Sequence, residues 1–242
     1  MPITIDAVVE YNDLGSLMQS TNFIGAYARG ATIGEALDKF PQEITRYVMW
    51  LSGTQLSTSE KYEINIVQEK RSGLQICDAD SDILFDTERP LLGIDEYEAL
   101  KSLALKSAAD FNLLYNSIPD SRRTNKKQRR TFYGDVPRTA EEMYVHTNNV
   151  SSYYTQEIGV MLSNMPNIFE NRLNAMKNIE QTPGFLDNKL FDGSYEEQWT
   201  LRKVLRRFIW HDRIHAKAMY TMAASIWDEN CIADPFYFGL SI

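Results

Sequence analysis

This chain of 242 residues contains three histidines. His211 and His215 stand four apart in "RRFIWHDRIHAKAM", and His146 lies in "EEMYVHTNNVSSYY". Imidazole both moves protons near neutrality and ligates transition metals. Residues i and i+4 of a helix lie one above the other on one face, so His211 and His215 can share an ion. Their helix can be phased from Leu201, Val204, Phe208, Ala218 and Met222, whose three-then-four spacing marks the inner seam of a bundle helix. Continued from Phe208, that spacing reaches 211 and 215. In the other segment Met143, Val150, Tyr154, Ile158 and Met161 mark the inward face, and His146 falls among them. All three imidazoles are expected to point into a bundle.

Converging buried imidazoles compete for few hydrogen-bond acceptors and resist protonation. A divalent metal removes the conflict by taking one nitrogen of each ring, while the other nitrogen donates to a neighbouring group. Three histidines complete a set with one position left open for water or substrate. Imidazole suits zinc, nickel, copper and iron. The alternative is a set of core histidines with ordinary partners, or a wet bundle end. Two other metal patterns fit less well. "HDRIH" resembles HExxH with Asp212 in place of glutamate, but aspartate is a methylene shorter and no further histidine follows. A carboxylate di-iron bundle needs Glu-x-x-His, whereas Glu142 stands four residues before His146.

The elements that must position these residues fall into two parts. "ITIDAVVEY" and, after a polar turn, "NFIGAYARG" read as strands. Thr32 three residues before Glu35 opens a helix with a capping box, and Pro41 within its apolar pattern predicts a kink or break. "YEINIVQEK" and "GLQIC" read as a third and a fourth strand. The acidic stretch 79–92, with Pro90, reads as a linker. Four helical patterns follow, over 94–118, 138–165, 167–179 and 195–227, as in a four-helix bundle. The expected fold class is α+β, with a small N-terminal β-α-β domain over 1–78 and an all-α bundle over 93–242.

Composition narrows the function classes. A net charge of −8 argues against general attraction to nucleic acid or an anionic membrane. No apolar run approaches the roughly 18 residues that span a bilayer. The start "MPITIDAVVEY" lacks the basic and apolar regions of a signal peptide, so a cytoplasmic protein is expected. Cys77 and Cys231 match no metal-binding spacing and are expected to be buried and inert. The basic run "SRRTNKKQRR" (121–130), followed by Phe132 and Tyr133, has the charge to hold phosphate backbone, but reads more readily as a solvated connection. Nucleic-acid binding is not expected, and an apolar face left over from four helices would support a homodimer.

With His146 in "MYVHTNNVSSYY" and His211 and His215 in "LRRFIWHDRIHAKAM", the chain over roughly 93–230 resembles the DinB/YfiT-like superfamily of metal-binding four-helix bundles. The front segment "GAYARGATIGEALDKFPQEITRYV", with its Arg/Gly turn followed by TxxEAL, resembles the HicB-like fold over roughly 3–78. It lacks the ribbon-helix-helix tail of HicB-like antitoxins. The first resemblance implies one divalent transition metal, zinc or nickel first, on His146, His211 and His215. Some such relatives are thiol-dependent transferases or isomerases, so a metal-dependent transferase or hydrolase acting on a small molecule or thiol is one expectation. The other is a non-catalytic, metal-stabilised module that binds a protein or nucleic acid through its HicB-like part. Among the neighbours, Arg207 is expected on a solvated flank, and Glu142 as a base, as an acceptor behind His146 or facing water. Tyr153 and Tyr154 read as packing, and Asn149 is left open.

Overall fold

A computed structural model describes residues 2–54, 61–131 and 134–240. The chain is mixed α+β, with a sheet first and helices after it. Strands β1 (Ile3–Asn12), β2 (Gly15–Ser20), β3 (Tyr27–Gly30) and β4 (Tyr62–Arg71) form one sheet in the order β3-β2-β1-β4. The β1/β2 and β2/β3 pairs are antiparallel, and β4 joins β1 in parallel after the connection through helix α1 (Ile33–Ser52). One sheet face, with Ile5, Ala7, Val9, Met18 and Ala28, is buried with Phe40 and Ile44 of α1. The opposite face carries Leu17 and Tyr27, which pack on Ile76 and Trp210.

Three details differ from the sequence expectation. Strand β2 occupies what reads as a polar turn, because its polar side chains are buried with partners. Ser16 Oγ donates to the Thr32 carbonyl at 2.7 Å, and Ser20 Oγ to Asn22 Oδ1 at 2.8 Å. "GLQIC" is not a strand: Asn12 Nδ2 donates to the Ser72 and Leu74 carbonyls, and a 3-10 turn follows at Ile76–Asp78. Helix α1 runs continuously through Pro41.

Helices α2 (Ile94–Ser117), α3 (Ala140–Gln156), α4 (Ile168–Glu180) and α5 (Leu201–Ala224) pack in a ring in which α2 and α3 each touch both α4 and α5. Helix α3 is shorter than its pattern. It ends before Gly159, whose φ of +79° suits glycine, and the Val160 N–H turns back to the Thr155 carbonyl. Helix α5 begins only at Leu201, where the Thr200 hydroxyl accepts from the Lys203 N–H. Residues Gln198–Trp199 before it pair as a short strand with Phe191–Asp192.

Helix α5 is not the one-sided bundle helix its spacing suggests. Every residue from Leu201 to Trp210 is buried, with bundle on one side and sheet on the other. The turn before β3 meets it at backbone distance. Gly25 has φ +92°, and a Cβ there would lie 2.4 Å from Ile209 Cγ2. The stretch 79–92 is packed between the two parts of the molecule: Ile83, Phe85 and Glu88 are buried. Glu88 receives Arg206 Nε at 2.5 Å and Nη2 at 3.1 Å. Among the described residues no helix is long and apolar enough to cross a membrane.

Removing one partner of a buried ion pair strands the other charge away from water. Glu88→Ala is therefore expected to lower the unfolding free energy by about 3–5 kcal/mol. Glu98→Ala, which removes an exposed partner of Lys101 at 3.4 Å, is expected to change it by less than about 1 kcal/mol. Urea unfolding midpoints of the two variants check this; equal losses would contradict the packing assigned to 79–92.

Candidate metal centre

Helices α3 and α5 lie side by side, and this brings the three histidines together. The ring centres are 5.1 Å apart for His146–His211, 4.7 Å for His146–His215 and 4.4 Å for His211–His215. One nitrogen from each ring lies within 4.8 Å of the others. Tetrahedral zinc asks for about 3.4 Å between nitrogens, so side-chain rotations drawing the widest pair in by roughly 1.4 Å would close the set.

The three do not all point into the bundle. The buried seam of α3 runs through Met143, Thr147, Val150 and Tyr154, and His146 borders it, exposed. His211 and His215 are half-buried. The cluster thus opens to solvent beside α3.

No carboxylate or thiol joins the cluster among the described residues. Partial desolvation by the surrounding protein lowers the pKa of His146, and desolvation together with His146 pulls His215 down to about 3. His211 lies well below the ordinary value, through burial first and then through His215 and His146. All three rings are neutral at pH 7, the state in which imidazole offers a lone pair to a metal. His211 Nδ1 is buried without a hydrogen-bond partner. Neutral donors, an unpartnered nitrogen and an open side fit a three-ligand transition-metal site.

The neighbours sort differently from their sequence reading. Arg207 is not on a solvated flank. It is buried, donating through Nη2 to the Ser81 carbonyl at 2.6 Å and to Glu197 Oε1 at 2.8 Å, among the rings of Tyr154, Trp199 and Trp210. Glu142 is a helix cap. Its Oε2 accepts from the Arg138 and Thr139 N–H groups, which hold its carboxyl below the ordinary value, and it is exposed. Tyr154 is buried against Trp199 and Phe208, with its ring edge-on to His211 at 6.0 Å. Tyr153 is partly exposed and stacks edge-on to Trp199. Asn149 is exposed, and its carbonyl accepts from Asn164 Nδ2 at 3.1 Å; its neighbour Asn148 donates to the Met165 carbonyl.

Asp212 is no metalloprotease base. It is fully buried, with Oδ1 and Oδ2 held by Arg172 at 3.0 and 3.1 Å. That pair, one residue from His211, was not legible in sequence, since Arg172 lies 40 residues away. Both cysteines are exposed rather than buried, because each sits at a 3-10 turn on the surface. In the basic connection Arg122 pairs with Glu141 and Arg129 with Asp78. Phe132 and Tyr133 lie outside the described residues.

No family model matches the chain, and no curated protein or solved structure matches it.

Between its ordinary pKa of about 6.5 and the folded value of about 3, His215 takes up a proton in the unfolded chain but not in the native one. Its contribution to stability is complete above pH 6.5 and is lost as the pH falls towards 3. In metal-free protein this amounts to up to roughly 2 kcal/mol between pH 7 and 5. His215→Gln is expected to flatten that part of the pH dependence, measured as the difference in urea unfolding free energy at the two pH values. An unchanged difference would mean that the imidazole titrates normally.

Proposed function

We propose that this chain binds one divalent transition metal, zinc or nickel, on His146, His211 and His215, and that the centre is catalytic rather than structural. The observation that carries this reading is the open three-nitrogen cluster. Structural zinc sites are closed by four protein ligands, whereas catalytic ones keep a position free. Among the described residues three donors converge, and the most exposed of them, His146, leaves a way in.

His146, His211 and His215 would hold the ion through neutral imidazoles, and it would supply Lewis-acid chemistry there, making a thiol or water easier to deprotonate near neutral pH. The chain's own residues set the geometry. His211 and His215 are fixed one turn apart on α5, whose far side is locked by the Arg172–Asp212 pair and by Arg213 on Glu43. Tyr154 closes one wall against His211. Arg207 is committed to Glu197 and Ser81, so it supports that wall and does not reach a substrate. The helix order and histidine placement support assignment to the DinB/YfiT-like bundles, preceded by a HicB-like unit. The reaction then proposed is metal-dependent group transfer involving a small-molecule thiol, in a cytoplasmic setting.

The test is elemental analysis of untagged protein, wild type against His146/His211/His215 triple alanine and against His211→Ala. Wild type is expected to hold close to one equivalent of transition metal, the single variant to lose most of it and the triple variant all of it. Metal reloading is expected to raise the melting temperature of wild type alone. Metal retained in the triple variant would place the ion elsewhere. Metal held with no water or thiol exchange at the ion would leave a staple between α3 and α5 instead of a catalyst.

A further inference from the structure

Away from the histidine cluster, a cavity of 190 Å³ opens where edge strand β3, helix α1 and the second half of α5 meet. Arg29 from β3, Lys39 and Arg46 from α1, and Lys217 from α5 line it, together with the buried Tyr27 and Glu43. Four cations thus face one carboxylate, in a chain whose net charge is −8. That carboxylate is already engaged: Glu43 Oε1 accepts from the buried Arg213 at 2.6 Å.

The cations themselves have weak partners. Arg29 Nη1 donates to the Cys77 carbonyl at 3.2 Å, and Arg46 Nη2 to the Leu240 carbonyl at 3.1 Å. Lys39 Nζ donates to the Arg29 carbonyl at 3.0 Å and lies 3.8 Å from Glu35. Lys217 Nζ stands 3.7 Å from Glu43 Oε2, too far for a good hydrogen bond. Arg46 Nε and Glu43 Oε2 are both buried without hydrogen-bond partners. Carbonyl dipoles do not neutralise a full charge, so the cavity is left with surplus positive charge and spare donors. Guanidinium and ammonium groups converging on a concavity match the geometry and charge of carboxylate and phosphate. A volume of 190 Å³ is below the usual range for a drug-sized ligand, which limits the occupant to a small group.

We propose that this cavity binds the carboxylate or phosphate group of a small molecule, through Arg29, Lys39, Arg46 and Lys217. The site is independent of the metal reading, although Lys217 follows His215 by two residues on the same helix.

The test is isothermal titration of the full chain with inorganic phosphate and, separately, with succinate, at an ionic strength held constant with chloride. It is run on protein as purified and again after chelation, which separates anion binding here from binding at the histidines. One saturable equivalent of either anion, surviving chelation, is expected. Phosphate preferred over succinate would identify a phosphate ester and the reverse a carboxylate; each supports the site. Lys39→Gln/Arg46→Gln is expected to bind at least about tenfold more weakly, while Arg122→Gln in the basic connection binds as wild type. If the double variant does not fold by circular dichroism, Lys39→Gln alone, an exposed side chain, carries the same comparison. Absence of saturable binding, or equal affinity in the cavity variants, overturns the proposal.

Discussion

The structure depends on charges buried along α5. Arg202, Lys203, Arg206, Arg207, Asp212 and Arg213 are all withdrawn from water. Each meets an opposite charge from another segment: Glu96 of α2, Glu197 just before α5, Glu88 of the 79–92 stretch, Arg172 of α4 and Glu43 of α1. An unpaired ion in such a place costs several kcal/mol. The pairs therefore demand that sheet, connecting stretch and bundle be assembled around one helix, and they fix its rotation and its register. Aromatic faces add to this, with Arg172 stacked over Phe208 and Arg206 over Phe85, each at 3.8 Å.

The histidines occupy the strip of α5 that these pairs leave over. His211 and His215 are the half-buried neighbours of the fully buried Asp212 and Arg213, so the helix turns its locked side inward and its ligand side towards α3. The spacing of two donors is set by the helix itself. The third depends on how close α3 comes, and so on the loop after Gly159 and on Asn148, whose hydrogen bonds tie α3 to α4 through Asn171. A rigid helix supplying two ligands and a neighbour supplying one is an arrangement that positions a site well.

Much of this was legible in the sequence, for reasons that can be stated residue by residue. The division into a β-rich start and long helices follows from periodicity, and the Thr32 cap marks the start of α1 at its observed place. The adjacency of His211 and His215 holds although α5 is buried well beyond the expected seam, because i,i+4 neighbours stay together whatever face is buried. Strand β2 was hidden because its buried serines and glutamine break the alternation a strand reader looks for. The roles of Arg206, Arg207 and Arg213 were hidden for a different reason. Arginine reads as surface unless its acid is known, and sequence gives no sign of acids that arrive from 10 to 170 residues away.

Those separations also set an order of assembly. Glu43 and Glu88 precede their partners on α5 by 170 and 118 residues. While the chain is being synthesised, the sheet and α1 emerge long before the guanidinium groups that complete them. Contacts so distant in sequence close late and slowly. Until α5 is released, the front half keeps its carboxylates hydrated and one sheet face uncovered, a state that invites chaperones and aggregation. A chain that ends before residue 200 lacks the partners of Glu43 and Glu88, so these ion pairs form only once α5 has been made.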